Sequence, residues 1–280
     1  MNTLQFSYAN SLVPEKELRT ISSRLSDEIR RMNQATQTGY EDEHASLNLP
    51  FDSEVVNTVK RVVQKKKQFH PQYLIVVGIG GSNLGTMAVA DAVQGRLSNY
   101  LTKTTKVLYA DTVDSDLMNS ILHLTESVLQ KNENVLVNVI SKSGHTTETI
   151  ANFEILVNLL QKKVPQYSDH VVVTTEKNSE FYQIAVREGF EVLEIPKKVG
   201  GRFSVFSPVG LFPLGLLGVD IDELLHGAQQ MRQRCLSSDV LNNPAVVSAS
   251  LIYLYKQKGR GIHDLFLFNP DLESVGRWYR

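Results

Sequence analysis

Residues 141–149 concentrate hydroxyl side chains around one lysine and one glycine, in the order Ser-Lys-Ser-Gly-His-Thr-Thr-Glu-Thr. They follow a β-branched apolar run and open a helical stretch, and a helix N-terminus favours anions. Hydroxyl groups can donate to phosphate oxygens, and Lys142 adds a positive charge. Because the pattern GxxxxGK[ST] is absent, the segment favours a phosphorylated ligand other than ATP. The alternative is a helix N-cap rich in Ser and Thr, and we interpret His145 as an ordinary loop residue.

A second candidate segment, residues 78–85, reads Gly-Ile-Gly-Gly-Ser-Asn-Leu-Gly between another apolar run and another helical stretch. Glycines let backbone N–H groups come close to an anion. The segment matches a dinucleotide-binding fingerprint poorly, because Asn83 stands in place of the third glycine. The next acidic residue at a strand end, Asp111, also lies about thirty residues on instead of about twenty. The alternative is a tight strand-to-helix turn that binds nothing.

A third segment, residues 199–208, places Arg202 directly after Gly200 and Gly201. The two glycines allow the arginine to come close to a ligand, where a guanidinium can stabilise negative charge that develops on oxygen. An arginine paired with a nearby carboxylate is an equally open alternative.

These segments need a scaffold, and five β-branched runs alternating with helical stretches predict a parallel sheet with helices on both faces. The first, third and fourth runs are almost entirely apolar, as expected of strands buried on both faces. The predicted strands are Tyr73–Val77, Lys106–Ala110, Val135–Ile140, His170–Thr174 and Phe190–Glu194. The predicted helices between them are Asn83–Gln94, Ser115–Gln130, Thr147–Lys162 and Ser179–Arg187.

The order 2-1-3-4-5, which is that of flavodoxin-like sheets, would make the first and third strands neighbours. Ligands bind at this point of a doubly wound sheet, outside the carboxyl ends of the strands. The segments Gly80–Ser82 and Ser141–Thr146 would then face one crevice. The sequence therefore predicts a three-layer α/β sandwich with a five-stranded parallel sheet and one site for a phosphorylated ligand.

Further helical patterns flank the sheet region. Pro14–Gln34 and Phe51–Phe69 carry apolar residues at spacings of three and four. Lys65–Lys67 would end the second helix as solvent-exposed cations that complement the helix dipole, with a nucleic-acid patch as the alternative. The remaining predicted elements are helices near Ser207–Leu217, Asp220–Cys235 and Pro244–Lys258, and a strand over His263–Phe268.

The last ten residues predict one more helix, capped by Asp271. Its apolar face would carry Leu272, Val275, Trp278 and Tyr279. Isolated helices as short as this one are marginal. We therefore favour an interrupted element of a longer polypeptide over a terminal helix docked on the core.

The composition is ordinary for a globular protein, with 42% hydrophobic and 21% charged residues. A formal net charge of -1 creates no long-range field for nucleic acid or an anionic membrane. The single cysteine, Cys235, favours a reducing compartment, and no His/Cys cluster indicates a metal. No signal peptide or membrane-spanning run is evident. The sequence predicts a cytoplasmic protein without nucleic-acid or membrane partners.

The segments VGIGGSNLG, NVISKSGHTTET, VGGRFSVFSPVGLFPL and GRWYR, in this order, resemble successive signature segments of the glucose-6-phosphate isomerase family. The resemblance extends from about residue 40 to residue 280, and VGGR[FY]S is highly specific. It implies a sugar isomerase (SIS) α/β sandwich and the interconversion of glucose 6-phosphate and fructose 6-phosphate in glycolysis and gluconeogenesis. It implies no metal or organic cofactor.

The resemblance also implies roles for individual residues. Arg202, with Gly201, would steady the enediolate intermediate, and Glu148 would help to order the site; with Lys142, Arg202 and Glu148 form the expected catalytic group. The phosphate and sugar would be held by Gly81, Ser82, Ser141, Lys142, Ser143 and Thr146. On this interpretation residues 1–70 form an N-terminal helical segment, residues 71–220 the SIS-type phosphosugar-binding domain, and residues 221–280 a helical extension that leads into a second SIS domain.

The sequence departs from the family pattern in two places. Family members usually carry Thr or Phe-Thr where this chain has Gly144-His145, which affects the shape of the loop. In the family, the proton-shuttling glutamate lies in an ESxGK-like segment just after the tryptophan stretch. In this chain that stretch is Trp278-Tyr279-Arg280, the last three residues, so the resemblance places the glutamate beyond them. The ring-opening histidine, a C-terminal lysine and most of the second SIS domain would also follow it.

The resemblance thus implies an isomerase-family polypeptide that is incomplete and inactive as this chain alone. It implies a homodimer in the full-length family, and a separate C-terminal half is one way to complete the enzyme. The alternative is a non-catalytic SIS-type module that binds sugar phosphates as a sensor. A dinucleotide-dependent oxidoreductase is a more distant alternative.

Overall fold

A five-stranded parallel sheet forms the centre of the computed structural model, which describes residues 4–101 and 104–280. The strand order is β2-β1-β3-β4-β5, and each ladder is parallel. The predicted flavodoxin-like order is confirmed. The strands are β1 (Pro71–Val77), β2 (Lys106–Ala110), β3 (Asn134–Ile140), β4 (Val171–Glu176) and β5 (Glu191–Ile195).

Helices precede, connect and follow the strands. Within the described residues the α-helices are α1 (Glu15–Ser22), α2 (Ser26–Ala35), α3 (Ser53–Lys67), α4 (Leu84–Gln94), α5 (Ser98–Leu101), α6 (Ser115–Gln130), α7 (Thr147–Lys163), α8 (Glu180–Arg187), α9 (Pro208–Leu216), α10 (Ile221–Cys235), α11 (Pro244–Gln257) and α12 (Glu273–Tyr279). Short 3-10 helices lie at Ser23–Leu25, Ala45–Phe51, Gly80–Ser82, Tyr167–His170, Gly201–Phe203 and Pro270–Leu272.

Two hydrophobic cores lie on opposite faces of the sheet, which gives the predicted three-layer sandwich. Side chains alternate along a strand, so Leu74 and Val76 of β1 face one core and Ile75 and Val77 the other. Helices α3 and α9 cover the first face and α6, α7 and α8 the second. Because both faces are buried, the central strands need apolar residues at nearly every position.

The predicted helix Pro14–Gln34 is two helices, α1 and α2, separated by the 3-10 turn Ser23–Leu25. Ser23 Oγ donates to the Thr20 carbonyl at 2.9 Å, and Ser26 Oγ donates to the Ser23 carbonyl at 2.7 Å. Such hydroxyl bonds to the backbone compete with helical hydrogen bonds and favour a break. The apolar spacing continues through the turn, because Leu18 and Ile29 still enter one core with α11.

The prediction that Lys65–Lys67 are all solvent-exposed is wrong for Lys66, whose residue is 1% exposed. Its ammonium donates to the Asp169 carbonyl at 2.5 Å and lies 5.5 Å from the centre of the Phe69 ring. Burial lowers the pKa of Lys66. Lys65 instead forms an ion pair of 2.6 Å with Glu191.

The predicted strand over His263–Phe268 is not formed, since these residues pair with no strand of the described chain. Asp271 is also not the cap of the last helical segment. The Asn269 side chain accepts a hydrogen bond of 3.0 Å from the Asp271 N–H, while the Asp271 carboxylate accepts one of 3.1 Å from the Arg96 N–H. On α12, Trp278 packs against the first core as predicted, whereas Tyr279 is exposed.

No helix within residues 4–101 and 104–280 is both long and apolar enough to cross a membrane.

Candidate functional site

The candidate site begins where β1 and β3, which are hydrogen-bonded neighbours, end side by side. Gly78 follows β1, and a Cβ atom placed on it would lie 2.7 Å from Ser82 Cβ and 3.1 Å from the Ile140 carbonyl oxygen. Ile140 is the last residue of β3. Only glycine lets the two strand ends approach this closely, so Gly80–Ser82 and the segment from Ser141 start at one edge of the sheet.

The turn that carries Arg202 lies directly against the β1 loop. A Cβ atom on Gly81 would lie 2.3 Å from the Gly201 carbonyl carbon and 2.7 Å from the Arg202 nitrogen. Ser204 Oγ donates to the Gly201 carbonyl at 2.6 Å and lies 3.4 Å from the Gly81 carbonyl. The structure thus brings Gly81 and Gly201, two of the predicted site residues, into backbone contact.

Lys142 joins the β3 loop to the same turn. Its ammonium donates to the carbonyls of Lys197 and Val199, at 3.0 Å for Val199. Its own carbonyl accepts from the Glu176 N–H at 3.0 Å, at the end of β4. The side chain that the sequence predicts as a phosphate ligand therefore also holds the segment before Gly200 in place.

The hydroxyl groups of the β3 loop have different partners. Ser141 is buried, and its Oγ accepts from the Gly144 N–H at 3.1 Å. Ser143 is exposed, and its Oγ accepts from the His145 N–H at 3.2 Å. Thr146 stands at the N-cap of α7, but its side chain makes no capping hydrogen bond. Capping alone therefore does not account for the hydroxyl group of Thr146.

Gly144 is required by the conformation of this loop. Its φ of +75° lies in the left-handed region, and a Cβ atom would lie 2.4 Å from Phe181 Cβ. Any other residue at this position would strain the backbone and collide with Phe181. His145 is exposed, and no described residue makes a hydrogen bond or ion pair with its ring, so its interpretation as a loop residue stays a prediction.

The two remaining charged site residues are exposed. Arg202 pairs with no carboxylate in the part of the chain that the structure describes, so the paired-arginine alternative finds no partner there. Glu148 lies in the first turn of α7, where a carboxylate complements the helix dipole. No group of three or more His, Cys, Asp or Glu side chains within the described ranges could hold a metal ion.

Sequence reasoning missed three residues that shape this site. Ser204 joins the two glycine turns, and the buried Asn83 side chain donates to the Gly78 carbonyl at 2.6 Å. Val199 supplies the carbonyl that Lys142 binds. A signal existed only for Asn83, which stands where a dinucleotide fingerprint would have its third glycine.

Comparison with known proteins identifies relatives over most of the chain. The family model described as "Phosphoglucose isomerase" matches residues 53–278. A probable glucose-6-phosphate isomerase from Methanococcus maripaludis is 36% identical over 206 residues, which are 74% of this chain and 45% of that protein. The glucose-6-phosphate isomerase of Carboxydothermus hydrogenoformans is 33% identical over 241 residues, which are 83% of this chain and 50% of the relative.

Two solved structures resemble the fold. A hypothetical protein from Thermus thermophilus aligns with a TM-score of 0.79 and 29% identity, over 95% of this chain and 61% of that one. A glucose-6-phosphate isomerase from Chlamydia trachomatis aligns with a TM-score of 0.76 and 22% identity, over 95% and 55% of the two chains. The chain thus spans about half the length of the first two relatives.

Proposed function

This chain belongs to the phosphoglucose isomerase family, and we propose that it binds glucose 6-phosphate and fructose 6-phosphate as the phosphate-anchoring part of an aldose–ketose isomerase. One observation carries the proposal. Lys142 binds the Val199 carbonyl while Gly81 abuts Gly201, so the three candidate segments meet at the carboxyl edge of the sheet. Ligands of doubly wound sheets bind at this edge.

We assign the phosphate to the β3 loop and the adjoining β1 turn. An ammonium group and hydroxyl groups at the start of a helix suit an anion with several oxygen acceptors. Lys142 would turn from the backbone carbonyls toward the phosphate, or bind both. The assigned phosphate and sugar contacts are Gly81, Ser82, Ser141, Lys142, Ser143 and Thr146.

We assign the reacting end of the sugar to Arg202. Isomerisation moves a proton between C1 and C2 through an enediolate, whose negative charge a nearby cation stabilises. An exposed guanidinium without a described carboxylate partner is free to do this. Gly201 would let Arg202 approach the sugar, and Glu148 would order the loop. The match to isomerases over most of the chain favours this assignment over a non-catalytic sensor module.

We further propose that residues 71–220 carry this site and that residues 221–280 lead into a second SIS domain. The relatives are about twice as long as the matched region, and a segment of this chain offers a surface for the remainder. Ile262, Phe266 and Phe268 are 88%, 81% and 91% exposed. Apolar side chains this exposed indicate an interaction surface.

The proposed occupant of that surface is the C-terminal half of the family polypeptide, attached or as a separate chain, in a cytoplasmic homodimer. The intact mass of the native assembly tests this proposal. A mass equal to that of this chain alone, with no partner bound, would contradict it.

Calorimetry tests the proposed function directly. Glucose 6-phosphate should bind more tightly than glucose, and Lys142→Ala should weaken its binding by about 1.5–3 kcal/mol, the usual worth of a hydrogen bond to a charged group. Lys197→Ala is the matched control. It removes a positive charge from a side chain that is 84% exposed, but it keeps the backbone carbonyl of residue 197 to which Lys142 donates. Equal binding of glucose and glucose 6-phosphate would refute the proposal.

A further inference from the structure

His44 is held between two carboxylates. Its Nδ1 lies 2.7 Å from Asp42 Oδ1 and its Nε2 lies 2.8 Å from Glu28 Oε1. A neutral imidazole has one N–H and one acceptor nitrogen, whereas an ionised carboxylate only accepts. Both contacts can therefore be hydrogen bonds only while the ring is a doubly protonated imidazolium. We call the three side chains the His44 clasp.

The charges around the clasp favour the imidazolium. The hydrogen bond to Asp42, aided by that to Glu28 and by both negative charges, raises the pKa of His44 above its ordinary value, against the opposing effect of partial burial. Arg31 of α2 forms an ion pair of 3.1 Å with Glu28, and its positive charge acts against the imidazolium. From α10, Arg232 donates to the Leu47 carbonyl at 2.8 Å, on the segment that follows His44.

The clasp fixes a segment that packs beneath the Arg202 turn. Ala45 follows His44 directly and begins the 3-10 helix Ala45–Phe51. Ala45, Leu49 and Val199 are 0%, 1% and 1% exposed and form one small hydrophobic cluster. The Val199 carbonyl accepts the hydrogen bond from Lys142, and Gly200, Gly201 and Arg202 come next.

We infer that His44 is a positioning residue for Arg202, and that its protonation couples the packing of the N-terminal helices to the order of the segment Val199–Arg202. The inference rests on the proposed function only for the role of Arg202. Because the pKa of His44 is raised in the folded chain, the clasp contributes fully below about pH 6.5, the ordinary value. It is lost as the pH rises through the folded pKa of His44.

Hydrogen exchange and NMR on the whole chain test the inference without any activity assay. The His44 ring should titrate above pH 6.5. Above that transition, the protection factors of the amides at Ala45–Leu49 and Val199–Arg202 should fall together. His44→Gln should lower both sets below the transition and remove their pH dependence. His123→Gln, at an exposed position on α6, should leave both sets unchanged.

Glu28→Gln serves as a milder variant if His44→Gln does not fold. It keeps the contact with Asp42 but removes one negative charge, so the transition should move to lower pH. The inference is overturned if the protection of Val199–Arg202 stays constant while that of Ala45–Leu49 falls, or if the His44 ring titrates below pH 6.5. Calorimetry with glucose 6-phosphate at the same pH values separates the proposals: absent binding contradicts the proposed function, whereas the exchange data alone decide the coupling.

Discussion

At the scale of single residues, the β3 loop has its shape because of Gly144. Its backbone is left-handed, and Phe181 occupies the space where a side chain would begin. Gly144 also donates its N–H to Ser141 Oγ. A change at this residue therefore affects the backbone and the hydroxyl network of the proposed phosphate site together.

Gly144→Ala should destabilise the fold by two separable effects. A left-handed alanine costs about 1–2 kcal/mol, and overpacking against Phe181 adds about 1–3 kcal/mol. Gly189→Ala is the matched control, because its φ of +74° is nearly the same but nothing lies within 4 Å of the added Cβ. Chemical denaturation of both variants measures the difference. Equal losses of unfolding free energy would mean that Phe181 moves aside without cost.

The candidate residues of the phosphate site could be predicted from the sequence, but the residues that they contact could not. Five hydroxyls and a lysine after a buried strand predicted a phosphate site, because few structural roles require so many together. The bond from Lys142 to Val199 spans 57 residues, so no local pattern could indicate it. The burial of Lys66 was not predicted for the same reason, since the Asp169 carbonyl that it binds comes from a distant turn.

At the scale of elements, the site depends on two short turns whose backbones touch. The turn after β1 and the turn Gly201–Phe203 meet at Gly81 and Gly201, and Ser204 donates a hydrogen bond to the second of them. The contact is asymmetric. A Cβ atom on Gly81 would meet the backbone at 2.3 Å, whereas one on Gly201 would come no closer than 3.8 Å to Gly81.

This asymmetry predicts opposite outcomes for two similar substitutions. Gly81→Ala should force the turns apart and weaken phosphate binding. It should also lower the melting temperature by several degrees, because overpacking of this kind costs about 1–3 kcal/mol. Gly201→Ala should change the melting temperature little, because its Cβ makes only ordinary contact. Thermal unfolding measures the melting temperature of each variant, and calorimetry with inorganic phosphate measures its phosphate binding. A more severe effect from Gly201→Ala would contradict the described contact.

Elements were predictable where burial constrained their sequence. Strands β1 and β3 are buried on both faces, so nearly every residue had to be apolar and the pattern was evident. His263–Phe268 has the same β propensity without a neighbouring strand in the described chain, and propensity alone does not make a strand. The break between α1 and α2 was missed because the apolar spacing continues through the 3-10 turn.

At the scale of the whole molecule, the proposed function assigns binding and turnover to different parts of the polypeptide. The proposed anchor and Arg202 lie within this chain, which covers 50% of the Carboxydothermus hydrogenoformans relative. The group that moves the proton between C1 and C2 is assigned to the remainder, as the family resemblance implies. In this proposal, the exposed segment around Phe266 and Phe268 is the surface on which that remainder packs.

We therefore expect this 280-residue chain to bind sugar phosphates without measurable isomerase activity. General acid–base groups contribute about 10²–10⁴-fold each, so loss of the shuttle and the ring-opening groups should bring turnover close to background. Adding the C-terminal half of a relative, fused or in trans, should restore it, and Arg202→Ala should then cost about 10²–10³-fold. A coupled assay for fructose 6-phosphate decides the matter. Robust activity of the purified chain alone, abolished by Arg202→Ala, would show that its own residues supply the proton shuttle.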